Sequence, residues 1–267
     1  MAFSRHSHTR TDGSLAASSR DLMFGRGWTA FGVCALALGG WLVLLWGATN
    51  MNGPMARLTM PMYHWSAANW LAVFVMWAVM MAAMMLPSAA PMVMCFSALN
   101  RRRGDGARTF FFVAAYLALW GVFGGAATVA QWALQSAGWV SPMIVSRSPM
   151  FSATLLLIAG VFQFSPLKHT CLRACRSPLG FLMSDWRDGP LGAWRMGMRH
   201  GLYCIGCCGG LMALLFVGGA MNLLWIAALA FLVAIEKLAP KGDVVARLLG
   251  GVMIGAGIII WTRSLMP

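Results

Sequence analysis

The sequence predicts an all-α, polytopic helical membrane protein with about seven transmembrane helices. Three observations carry that prediction. Of the 267 residues, 60% are apolar and only 10% charged, where an ordinary soluble domain carries roughly a quarter charged residues. Several apolar runs approach the ~20 residues needed to cross about 30 Å of hydrocarbon. The basic residues are segregated, with seventeen of the 20 Lys and Arg in alternate segments between those runs, the pattern of cytoplasmic retention. The alternating apolar and polar pattern of a barrel strand is absent.

Residues 1–27 are rich in Ser, Arg and Gly and read as a disordered basic cytoplasmic tail. Residues 28–267 form one transmembrane domain. The first span is expected at 28–49. It is too long for a signal-peptide core and no small-residue cleavage site follows, so it is read as retained. The next spans are expected at 68–94, 109–134, 150–167, 200–218, 220–238 and 244–262. Only Gly219 to Asn222 separates the fifth from the sixth, which predicts a tight hairpin with Asn222 capping the sixth helix. Only Arg57, Arg147 and Arg263 fall outside. This places the N-terminus in the cytoplasm and the C-terminus outside. The formal net charge of +13 is thereby explained by topology and anionic headgroups, not by a nucleic-acid partner. The longest cytoplasmic loop, 168–199, contains Leu179, Phe181, Leu182 and Trp186 among Arg187 and Arg195, a composition that suits a short interfacial helix.

Five of the seven cysteines lie between positions 171 and 208. At 3.6 residues per turn, His200, Cys204, Cys207 and Cys208 fall within about 100° of one helix face. Polar and reactive groups are costly inside a membrane, and three thiols with an imidazole are soft ligands suited to Cu(I) or Zn(II). His169, Cys171 and Cys175 form a second or shared candidate site. All seven cysteines map to the cytoplasmic half, where thiols stay reduced.

The 22 methionines form two groups. Met51, Met55, Met60 and Met62 lie with His64 in the first outer loop. Met80, Met81, Met84 and Met85 lie in the second span, ahead of Pro87 and Pro91. Thioethers bind Cu(I) and tolerate an oxidising compartment. The proline pair frees backbone carbonyls and is expected to kink the span. Together these residues read as a metal pathway running from outside inward. Glu236, the only acid within a span, stands beside Lys237. It reads as an interfacial ion pair with snorkelling ends, or as a charge partner for a cation near the cysteines. Gly206 with Gly210, and Gly251 with Gly255, read as small-residue helix contacts.

The strings Met80-Met-Ala-Ala-Met-Met-Leu-Pro-Ser88, Cys171-Leu-Arg-Ala-Cys-Arg-Ser-Pro-Leu-Gly-Phe181 and Met196-Gly-Met-Arg-His-Gly-Leu-Tyr-Cys-Ile-Gly-Cys-Cys208 resemble a bacterial family of predicted metal-binding integral membrane proteins. Met221-Asn222 and Glu236-Lys237-Leu238 also match. The resemblance covers about residues 70–240. Family members form a domain of unknown function sometimes labelled copper chaperone. Gly209 departs from the pattern, standing where relatives carry Trp. The resemblance implies metal binding in a membrane.

No hydrolytic, ATP-binding or dinucleotide motif is present, so the chain is not expected to be an enzyme. The leading expectation is a multi-pass protein of the bacterial inner membrane that binds a soft metal for transfer, delivery or transport. Copper(I) is preferred and zinc is the alternative. The expected partners are the lipid bilayer and a metal donor or acceptor protein, with an oligomer open. A thiol-redox or haem-handling protein and a metal-free assembly factor are the rival readings.

Overall fold

A computed structural model describes residues 10–61, 64–102 and 107–266. The architecture is all-α. In chain order the helices are α1 (Arg10–Thr49), α2 (Pro54–Thr59), α3 (Ala67–Arg102), α4 (Arg108–Ser136), α5 (Pro149–Phe162) and α6 (Pro166–Arg176). They are followed by α7 (Pro178–Asp185), α8 (Gly189–Ala213), α9 (Leu215–Gly218), α10 (Leu223–Leu238) and α11 (Gly242–Leu265).

Among the described residues, five helices are long and apolar enough to cross a membrane, and a sixth crossing is obtained if α5 and α6 count as one bent span. Of the seven spans expected, the two that differ are the fourth and the sixth. The hydropathy run read as span four continues across Ser165-Pro166. Pro166 has no N–H to extend α5 and its fixed φ suits the first turn of a helix. The Ser165 hydroxyl accepts from the Lys168 N–H at 3.1 Å. The chain bends by 65° at this break. The run read as span six yields only the 16 residues of α10, about 24 Å at 1.5 Å per residue. The Asn222 cap is found as expected, accepting from the Trp225 N–H at 3.2 Å.

The segment expected as a loop at 168–199 is helical instead, comprising most of α6, all of α7 and three turns of α8. At the other end, the helical backbone of α1 reaches back to Arg10, ahead of the apolar stretch that begins at Gly27.

α3 is the central helix. It packs on α1 and α4 along its length and meets α10 and α7, so Trp77, Met80, Met81, Met84 and Met85 are all buried. These methionines point to different sides of α3 and are covered on each, whereas Leu71 and Val75, nearer its start, are exposed. Pro87 and Pro91 are accommodated within one continuous helix. α8 packs against α4, and α5 against α11. In the α5–α11 pair, a Cβ at Gly160 would lie 3.0 Å from the Gly250 carbonyl, and one at Gly257 would lie 3.1 Å from the Ala153 carbonyl. The expected contact through Gly251 and Gly255 is corrected. A Cβ at either meets nothing within 4 Å, because the seam repeats every seven residues and these two glycines face away from it.

Candidate metal centre

The site lies where the two short helices stop. Gln163, just past α5, and Glu236, at the end of α10, meet each other, with the Gln163 amide donating to Glu236 at 3.2 Å. Lys168 of α6 is 1% exposed and donates to the other Glu236 oxygen at 2.7 Å. The surface pair expected between Glu236 and Lys237 is thus corrected. Neighbours on a helix diverge by about 100°, so Lys237 points elsewhere, into the bundle. Its ammonium donates to Cys204 Sγ at 2.9 Å and to Ser88 Oγ at 3.1 Å.

Sulfur atoms gather around this point from three helices. Cys204, Cys207 and Cys208 of α8 are buried. Cys207 Sγ lies 3.9 Å from Cys175 Sγ of α6, and Cys208 Sγ lies 3.6 Å from Met85 Sδ of α3. Cys204 Sγ is 3.1 Å from the Tyr116 hydroxyl of α4. Both Cys207 and Cys208 donate to the Cys204 carbonyl, at 3.1 and 2.9 Å. Among the described residues, no two cysteines are joined by a disulfide.

His200, Cys204, Cys207 and Cys208 share α8 but meet different partners. Among the described residues, no group of three or more His, Cys, Asp or Glu side chains is placed to hold a metal ion. Helical spacing is the reason. Cys207 and Cys208 are about 100° apart and face different neighbours, α6 and α3. His200 lies one turn before Cys204 and sits in an aromatic enclosure. Its ring is 5.5 Å from Tyr116, 5.8 Å from Phe181 and 5.9 Å from Phe112 between centroids. Both His200 nitrogens are buried without a hydrogen-bond partner, an arrangement rare enough to need a cause.

The second expected set also divides. Cys171 and Cys175 share the inner face of α6. Cys171 packs over Gly206, where a Cβ would come within 2.6 Å of its sulfur. His169 lies on the opposite side of α6, with Nδ1 3.5 Å from Asp243 of α11. It is not beside the cysteines.

A copper chaperone family model matches residues 74–260. The chain belongs to that family. No curated protein and no solved structure matches it. The copper chaperone match runs from within α3 into α11, so every residue of the sulfur cluster falls inside it.

The outer methionines of this copper chaperone family member are partly brought together. An apolar cavity of about 440 Å³ between α1, α2, α3 and α10 is lined by Met55, Met60, Met76 and Met221. His64 is exposed and does not line it. Met51 is half-buried and also lies off the lining. Met62 lies outside the described residues. Sequence reasoning missed Tyr116, Lys168 and Gln163 as members of the inner site. Tyr116 carried a signal, being one of only three tyrosines in the chain and a polar group in the middle of an apolar run.

Proposed function

We propose that this protein is a bacterial inner-membrane copper chaperone that carries Cu(I) as cargo on buried sulfur pairs. The observation that carries the reading is the meeting of Cys175 with Cys207, and of Met85 with Cys208, at one depth. Thiol and thioether donors select soft cations and serve hard ones such as Mg²⁺ or Ca²⁺ poorly. Zinc favours four donors in a tetrahedron, and paired sulfurs on separate helix faces suit it less well. The Lys237 ammonium at Cys204 repels an arriving cation, so the two sulfur pairs are the better seats. His200, with both nitrogens open, is the nearest reserve donor along α8.

The route follows α3. Met76 lines the outer cavity and Met85 touches Cys208. Met80, Met81 and Met84 fill the interval, about 13 Å of helix. Thioethers outside and thiols inside give donors of rising affinity along the way. The protein acts as a carrier and not as a catalyst, and it exchanges cargo with a donor or acceptor protein.

The test is elemental analysis of protein purified after growth in copper. Wild type is expected to retain at least one copper per chain. A Cys204→Ser, Cys207→Ser, Cys208→Ser triple variant is expected to retain less than about a tenth of that, given loss of its soft ligands. Equal copper in both proteins would end the reading.

A further inference from the structure

The back of α6 carries a feature the sulfur site does not use. A cavity of about 730 Å³ opens between α6 and α11, lined by Phe164, Pro166, His169, Thr170, Arg173, Asp243 and Arg247. Its one carboxylate is already engaged. Asp243 faces His169 at 3.5 Å through one oxygen and Arg176 at 3.5 Å through the other. Arg173 uses only Nε, donating to the His169 carbonyl at 3.4 Å. Among the described residues, neither Arg173 nor Arg247 makes an ion pair. The pocket therefore holds two guanidinium groups in excess of its acid, and guanidinium matches a phosphate's paired oxygens.

The surroundings are apolar. Phe164, in the break between α5 and α6, lines the cavity, and Leu167 of α6 and Val244 and Leu248 of α11 are exposed on the same two helices, each of the four roughly half exposed or more. α6 turns by 65° from α5, and it carries basic residues beside exposed apolar ones, the composition of an interfacial helix. A basic pocket bounded by exposed apolar side chains fits a ligand with a charged head and hydrocarbon chains.

We propose that this cavity is a headgroup site for an anionic phospholipid, with Arg173 and Arg247 holding the phosphate and the apolar flank holding the acyl chains. The site is independent of the copper reading. It sits on the opposite face of α6 from Lys168, Cys171 and Cys175, so a bound lipid seats the helix that presents Cys175 to Cys207.

The test is lipid retention on the full-length protein, measured by native mass spectrometry from detergent with phosphatidylglycerol or phosphatidylcholine added. Wild type is expected to hold one phosphatidylglycerol in preference to phosphatidylcholine. An Arg173→Gln, Arg247→Gln double variant is expected to lose that preference, with retention falling roughly tenfold or more. The Arg173→Lys, Arg247→Lys variant keeps the charge and is expected to keep most of the preference, and Arg263→Gln is expected to change nothing. Equal retention of the two lipids by wild type, or of phosphatidylglycerol by wild type and the Gln variant, would overturn the proposal. Displacement of the lipid by millimolar inorganic phosphate would also overturn it, because the site would then be one for a small free anion.

Discussion

Replacing Glu236 with Gln tests how the centre is held together. Lys168 and Glu236 are 1% and 2% exposed at their side chains, and their 2.7 Å contact joins α6 to α10. Gln163 supplies a further hydrogen bond to the carboxylate. Removing the carboxylate charge leaves a buried ammonium without its counter-ion. Breaking a buried pair from one side costs about 3–5 kcal/mol, whereas removing both charges is often close to neutral. Exposure is too low for solvent screening to reduce this much. Glu236→Gln and Lys168→Met should therefore each lower the unfolding midpoint in detergent, by roughly 2–4 °C per kcal/mol for a chain of this size. The Lys168→Met, Glu236→Gln double variant should recover most of the loss. Because α6 also carries Cys175, the single variants should weaken copper retention, and the double variant should restore part of it. Single variants as stable as wild type, or a double variant that loses the sum of both, would refute the reasoning.

Three further outcomes are expected. A short thiol-to-thiol cross-linker should join Cys175 to Cys207, which are 3.9 Å apart at sulfur; a product found only between other cysteines would contradict the packing of α6 on α8. Gly206→Val should reduce that cross-link several-fold, since a Cβ there comes within 2.6 Å of Cys171 Sγ, while Gly209→Val, with its nearest neighbour at 3.5 Å, should leave it intact; equal yields from both variants would count against the close approach. Asn222→Ala should cost about 1 kcal/mol in a denaturation assay through loss of the α10 cap, with Asp or Ser in its place largely preserving stability; no difference between Ala and Ser would show that the cap is idle.

Much of the site's membership was legible in the chain. The cysteine density between 171 and 208 and the methionines ahead of Pro87 marked α3, α6 and α8 as the elements that matter. Partnership was not legible. Within α6, close neighbours such as His169, Cys171 and Cys175 look like one motif, but helical rotation sends His169 to Asp243 and Cys175 to Cys207. Glu236 and Lys237 are adjacent in the chain, yet they serve different neighbours, Lys168 and Cys204. Tyr116 and Gln163 sit in runs whose hydropathy hides a single polar group.

Composition and apolar runs by themselves determined the all-α membrane architecture, because a bilayer leaves the backbone little choice but to satisfy its hydrogen bonds within helices. Residue chemistry by itself determined that the interior is rich in soft donors. Tertiary structure alone decided which sulfurs face one another, and that Lys168 and not Lys237 neutralises Glu236. Interhelical pairings depend on which faces meet across the bundle, and that is a property of packing between segments more than a hundred residues apart, such as Met85 and Cys208, which no local pattern encodes.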